Sequence, residues 1–436
     1  MNEKITIHWF RRDLRLEDNA ALYQALKSGS KVQCLFIFDR TILDKLEDKA
    51  DRRVTFIYQQ ILRLHKELQA YNATILVKYG TPKEIWASLL DEYSIDQVYA
   101  NHDYEPYGRE RDEWVLDFFH QKQIPFNTYK DAVIFEKTEV VKDDQLPYTV
   151  FTPYSKKWKS KLNDFYLKSY PTEKYMDKLV SAAPTDLLTL EEMGFAYNDT
   201  YLPSEKIPVE IIKKYDTTRN FPGIAGTSKL GIHLRFGTIS IRHLARIARV
   251  NNEVFLNELI WRDFYHMILF HFPHVTEKSF KVKYDQINWR NNEVEFEAWC
   301  AGKTGYPIVD AGMRELNQTG YMHNRVRMIV ASFLCKHLLI DWRWGEAYFA
   351  AKLIDFELAS NNGGWQWASG SGTDAAPYFR IFSPSEQSKK FDAQFTYIRK
   401  WIPELDSWQY PTPIVDHKMA RERCLAVYKE ALTERT

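Results

Sequence analysis

Short apolar runs alternate with longer amphipathic ones through the first third of the chain. ITIHWF (5–10), VQCLFIFD (32–39), ATILVKYG (73–80) and QVYANHDY (97–104) are rich in β-branched and aromatic residues, which predicts strands. Helical stretches lie between them, such as RRVTFIYQQILRLHKELQAY over 52–71. TPKEIWASLLDEY carries its own start signal: Thr81 as N-cap, Pro82 at the first helical position and Glu84 closing a capping box. This alternation predicts an α/β amino-terminal domain over 1–130 with a doubly wound, Rossmann-like parallel sheet. The first strand runs into RRDLRLEDNAAL without a GxGxxG, so the usual dinucleotide fingerprint is missing. Periodicity fades over 131–205, where proline and lysine are frequent, and the segment reads as a connector wrapping the surface. From 206 to 436 the pattern is helical, which predicts an all-α carboxy-terminal domain.

Within that half, LNELIWRDFYHMILFHF (256–272) places Glu258, Trp261, Arg262 and Tyr265 at i, i+3, i+4 and i+7, hence on one helical face. Leu259, Ile260, Phe264 and Met267 occupy the other side. A face mixing a carboxylate with a tryptophan suits a pocket that must both hydrogen-bond and stack; a half-exposed helix with a surface Glu–Arg pair is an equal alternative. Downstream, Asn324 and Met328 lie one helical turn apart, while Arg325 and Arg327 point to different sides, with Asp355 and Glu357 as candidate inward partners. Thr227 and Ser228 precede a predicted helix, where free N–H groups and hydroxyls can seat a phosphate, although any capped turn reads the same way. NNGGWQW (361–367) sets two indoles among poor helix and strand formers. Two residues at i and i+2 cannot share a helix face, so one indole is expected in the interior and one in a cavity; a loop plugging the core is the alternative.

Composition narrows the class. The 436 residues are 45% apolar and 27% charged, with 13 tryptophans and a net charge of +1. Residues 1–200 carry −4 and the remainder +5, which favours a polyanionic partner for the second half. Cys34, Cys300, Cys335 and Cys424 form no CxxC pair, which argues against zinc or a disulfide scaffold. With no bilayer-length apolar run and no signal-peptide core, a cytoplasmic protein is expected.

The motifs, taken in order, resemble the DNA photolyase/cryptochrome family. They are WFRRDLRLEDNAAL, GTSKLGIHLRFG, ELIWRDFY, GKTGYPIVDAGMREL, GYMHNRVRM, NNGGWQWASGSGTDAAPYFRIF and PIVDHKMAR. The chain is most similar to class I photolyases that split cyclobutane pyrimidine dimers, an assignment carried by Asn324 and Met328. The resemblance implies an FAD held in the helical domain, DNA containing pyrimidine dimers as partner, and a monomer. It places Tyr215, Thr227, Ser228, Lys229, Leu230, Gly231, Phe255, Arg262 and Glu357 around the FAD. Arg327 would pair with Asp355 beside the isoalloxazine, and Asn361 would bond near its N5. Glu258 would hydrogen-bond the pyrimidine pair, Asn324 would sit between adenine and lesion, Trp261 and Trp367 would be stacking walls and Met328 the floor. Arg219, Arg325 and Arg380 would meet phosphates. Trp365, Trp342 and Trp289 match the family's electron-transfer triad from inside to surface.

Three positions depart from the family pattern: Gly231 replaces a serine, Phe255 a tryptophan and Glu357 a shorter carboxylate. In HDYEPYGRERD (102–112) Tyr107 and Gly108 stand where folate-binding members carry Asn-Glu. The stretch is more similar to members with a deazaflavin or flavin antenna, for which Asp103 and Glu105 are the implied contacts. The competing function is a cryptochrome-type photoreceptor signalling through a protein partner; the set Glu258, Trp261, Asn324, Met328 and Trp367, and the short tail ending LTERT, favour repair. A conventional flavin oxidoreductase would need a nicotinamide site or an acid–base pair, and neither is evident.

Overall fold

Parallel pairing of the apolar runs builds the first part of the molecule. In the computed structural model, which describes residues 3–183, 186–200 and 202–433, five strands form one sheet in the order β3-β2-β1-β4-β5. They are β1 (Ile5–Phe10), β2 (Lys31–Asp39), β3 (Ile75–Gly80), β4 (Ile95–Asn101) and β5 (Phe126–Tyr129), and every pairing is parallel. The first four fall on the predicted runs. The fourth stops at Asn101, short of the expected Tyr104, because Pro106 opens the next helix. The fifth, FNTY, gives no apolar run to read, since its four residues are half-buried, and the pattern along the chain does not predict it. Helix α1 (Arg52–Gln69) and helix α2 (Pro82–Glu92) lie where the periodicity places them, and the reciprocal Thr81–Glu84 capping box is formed.

The chain divides into two compact units that interleave along the sequence. The first comprises Met1–Glu136, Leu162–Ile207 and Lys229–Ile247; the second comprises Lys137–Lys161, Pro208–Ser228 and Ala248–Thr436. The segment read as a connector is therefore shared. Its residues 162–207 wrap the α/β unit, with Val180 N–H donating to the Val32 carbonyl (2.9 Å) and Thr172 Oγ1 to the Leu16 carbonyl (2.8 Å). Residues Phe151–Lys161 form a helix that the lysine-rich sequence hides; it is anchored by Tyr154 and Trp158 at i, i+4, and Trp158 Nε1 donates to Asp263 (2.9 Å).

A buried ion network fixes the first unit. Asp131 accepts from Arg15 (2.7 Å) and Arg242 (2.8 Å), and Arg242 also reaches Asp18 (3.0 Å). Burial alone would push the Asp131 carboxyl up, but Arg15 and Arg242 hold it below its usual value. Gly237 lies beside this network with φ +60°, and a Cβ there would sit 2.1 Å from the Arg12 carbonyl, so only glycine fits.

The second unit is helical. The elements that matter below are α3 (Glu253–His271), α4 (Asn324–Ser332), α5 (Trp342–Lys352), α6 (Leu358–Ser369) and α7 (His417–Thr433). Its core gathers Trp299, Met313, Val330, Leu334, Trp342, Phe349 and Trp365. Among the described residues no helix is long and apolar enough to cross a membrane.

Replacing Asp131 with Ala takes the carboxylate partner from buried Arg15 and leaves Arg242 with Asp18 alone, and should cost about 3–5 kcal/mol in denaturant unfolding. Because the folded pKa of Asp131 is depressed, its contribution is present above the ordinary carboxylate pKa and is lost as pH falls through the lowered value. The wild type should show this acid-side loss and Asp131→Ala should not.

Candidate functional site

The polar face of α3 opens on a cavity of about 430 Å³, in the range of small-molecule sites. Glu258, Trp261, Arg262 and Tyr265 all line it, while Leu259, Ile260, Phe264 and Met267 are buried on the other side. Helix α4 contributes Asn324, Arg327 and Met328 at i, i+3 and i+4. Tyr215 closes another wall, and Phe255 meets it edge-on with ring centroids 5.1 Å apart.

NNGGWQW is helical rather than a loop, lying within α6. The intrinsic cost of two glycines is overridden by packing. A Cβ on Gly363 would fall 2.3 Å from the Tyr265 ring, so its absence lets α6 lie against α3. A Cβ on Gly364 would meet nothing within 4 Å, because this residue faces the cavity. Trp365 is 2% exposed and part of the buried core, with one edge on the cavity, while Trp367 is half-buried and lines the cavity. Gly345 in α5 abuts the Trp365 ring, where a Cβ would lie 2.1 Å away. Trp342, one turn earlier in α5, shares the buried core with Trp365, and Trp289 packs against that core and, edge-on, against Tyr428 at 5.9 Å.

Charges around the cavity are paired. Arg327 donates to both oxygens of Asp355 (3.1 and 2.9 Å) and to the Met322 carbonyl (2.7 Å). Burial opposes its charge, yet Asp355 raises its pKa overall. Arg262 donates to Glu357 (2.7 Å), which also accepts from Ser360 Oγ (2.7 Å). Glu258 is ion-paired with Arg219; burial lifts its carboxyl above the usual range and Arg219 restrains the rise. Asn361 Nδ2 donates to the Glu346 carbonyl (3.1 Å), leaving Oδ1 as its acceptor.

Arg219, Arg325 and Arg380 form a cationic group, of which Arg219 lines the cavity. Burial, then the repulsion of Arg219 and Arg380, lowers the Arg325 pKa. Arg325 is steered by Asn220 Oδ1 (2.6 Å) and lies over Phe391 at 4.5 Å. Arg380 is exposed, and its carbonyl accepts from buried Lys336 Nζ (2.9 Å).

Other predicted positions are not among the cavity walls. Thr227, whose hydroxyl lies 3.5 Å from Tyr321 Oη, and Ser228 end a segment of the second unit and are not among the cavity walls. Lys229, with φ +54°, Leu230 and Gly231 belong to the first unit, where Gly231 begins a five-residue helix to Arg235. Asp103 pairs with Arg12 (3.2 Å) and Arg111 (3.4 Å), and Glu105 with Arg235 (3.1 Å) and Arg12. The recess beside Asp103 measures about 10 Å³, room for one water.

Sequence reading misses three contributors. Phe151 stacks face to face on Trp261, centroids 3.7 Å and planes 4° apart; a partner 110 positions away leaves no sequence signal. Glu346 is pushed up to about 7 by burial and accepts from Asn362 Nδ2 (3.4 Å); an acid on the packed side of WRWGEAYF is the available clue. Phe349 lines the cavity and meets Trp365 edge-on at 5.0 Å.

The sequence matches the DNA photolyase family over residues 6–174 and the FAD-binding domain of DNA photolyase over 255–409. It is 37% identical to the deoxyribodipyrimidine photo-lyase of Alkalihalophilus pseudofirmus, with 97% of each chain covered. It is similar to the crystal structure of a class III photolyase from Agrobacterium tumefaciens, with TM-score 0.87, 32% identity and coverage of 100% of this chain and 99% of that one. It is also similar to an archaeal photolyase from Sulfolobus tokodaii that holds two FAD molecules, with TM-score 0.78, 32% identity and coverage of 98% and 100%.

Gly364 separates cavity from fold. Gly364→Ala should raise stability by about 1 kcal/mol through helix propensity. It should nonetheless lower the flavin absorbance retained on purification, since the methyl group enters the cavity.

Proposed function

We propose a function from one premise: the chain belongs to the DNA photolyase family. The reading is light-driven repair of cyclobutane pyrimidine dimers in DNA. Its main support is that Glu258, Trp261, Asn324, Met328 and Trp367, drawn from three helices, meet in the cavity that Arg327, Asp355 and Asn361 also line. A reduced FAD in such a site supplies light-driven donation of one electron to the dimer and recovery of that electron.

The residues of the chain do the rest. The Arg327–Asp355 pair presents a fixed, mutually neutralised charge to the flavin ring, and the neutral pair Arg262–Glu357 does the same on the next wall. Asn361 Oδ1 is oriented to accept a hydrogen bond, because its Nδ2 is held by α5. Trp261 and Trp367 offer flat apolar faces to an extruded pyrimidine pair, and Phe151 behind Trp261 keeps that wall from tilting. Extrusion of the damaged pair is the general strategy of enzymes that act on bases, photolyases included, and a poorly stacked lesion lowers its cost. Glu258 and Asn324 hydrogen-bond the pyrimidine carbonyls, where negative charge develops. Arg219, Arg325 and Arg380 hold phosphates, so affinity falls with salt. Trp365 at the cavity, Trp342 in the same core and Trp289 packed against it would form an oxidisable row through which an external reductant such as a thiol refills the site one electron at a time.

The test is dimer content of a thymine-dimer oligonucleotide after incubation with the reduced protein, in blue light and in darkness. Light-dependent loss is expected, and equal content in both arms refutes the reading. Trp365→Phe should lose photoreduction of oxidised protein while chemically reduced protein still repairs.

A further inference from the structure

Two roles assigned above compete for one side chain. Arg219 is to hold a DNA phosphate and Glu258 is to meet the lesion, yet the two are ion-paired to each other. Arg219 caps the short helix Tyr215–Thr218, lies over the Tyr215 ring at 5.2 Å and keeps 24% of its side chain exposed. It therefore belongs both to the cavity wall and to the cationic group formed with Arg325 and Arg380. A phosphate drawn to that group presents oxygens with the spacing of a carboxylate and competes directly for the guanidinium fork.

We propose that Arg219 is a latch shared between Glu258 and a DNA phosphate, and that seating the lesion strand moves it to the phosphate and leaves Glu258 to take up a proton from solvent. This rests on the repair reading above. Atoms balance simply: Arg219 stays cationic, one proton adds to a Glu258 oxygen, and no electron moves. Among the described residues that line the cavity, the other two cations are already engaged. Arg262 is held by Glu357 and Arg327 by Asp355. Tyr215 and Tyr265 are pushed above their usual range, by burial first and in part by Glu258 itself, and stay neutral. Asn324, Trp261 and Trp367 carry no charge. Burial already raises the Glu258 pKa, and Arg219 supplies the only opposing causes, so removing Arg219 while adding DNA phosphates raises it further. A protonated Glu258 can then donate to a pyrimidine carbonyl, which a carboxylate cannot. Arg219 is thus a positioning residue whose release sets the protonation of its neighbour.

The sign follows from linkage. Binding takes up protons wherever pH lies between the free and bound pKa values of Glu258, so affinity weakens as pH rises, by at most about tenfold per pH unit. The measurement is calorimetry in darkness, with the FAD-loaded protein and a thymine-dimer oligonucleotide in buffers of different ionisation enthalpy. Wild type should take up a substantial fraction of one proton more than Glu258→Gln. Arg219→Gln should take up less than wild type, because its Glu258 already holds part of that proton when free. Equal proton counts for wild type and Glu258→Gln, or for wild type and Arg219→Gln, overturn the latch. Loss of preference for the dimer over the undamaged strand instead removes the repair reading, and the latch with it.

Discussion

Close approach of helices α3, α5 and α6 is the constraint on which the site depends. It is achieved by omission. Gly363 yields to the Tyr265 ring and Gly345 to the Trp365 ring, and either Cβ would overlap an aromatic carbon by roughly an ångström. With these contacts made, the polar face of α3 and the inner face of α6 look into one space, and Gly364 keeps that space open. Interiors of this density do not deform gradually. The cavity walls are therefore set by three missing side chains as much as by those present.

Nearly every charge bordering the cavity is already answered. Asp355 answers Arg327 and Glu357 answers Arg262. Paired ions in a partly dry site cost less than isolated ones and do not swing as substrates come and go. They form a stiff electrostatic frame in which the Arg219–Glu258 pair, open to solvent on one side, is the adjustable member.

Much of this is legible in the chain and some is not, for identifiable reasons. The sheet shows because buried parallel strands are continuous apolar runs, and α2 because Thr81, Pro82 and Glu84 are a local signal. The face Glu258, Trp261, Arg262, Tyr265 shows because helical spacing alone decides it. β5 is hidden because FNTY is only four residues long and half-buried throughout. The helical state of NNGGWQW is hidden because local propensity argues against it, and only packing against distant aromatic rings reverses that preference. Phe151 is hidden because a stacking partner distant in sequence leaves no local trace.

The interleaving of the two units bears on how the molecule comes into being. The α/β unit lacks residues up to Ile247, including Arg242 of its buried ion network, until more than half the chain has been synthesised. The helical unit draws in Lys137–Lys161 and cannot close until much later residues arrive. Neither half can be excised by a single cut, and the nascent sheet must wait with Asp131 only partly neutralised. Such long-range closure slows folding and leaves partly built forms exposed on the ribosome.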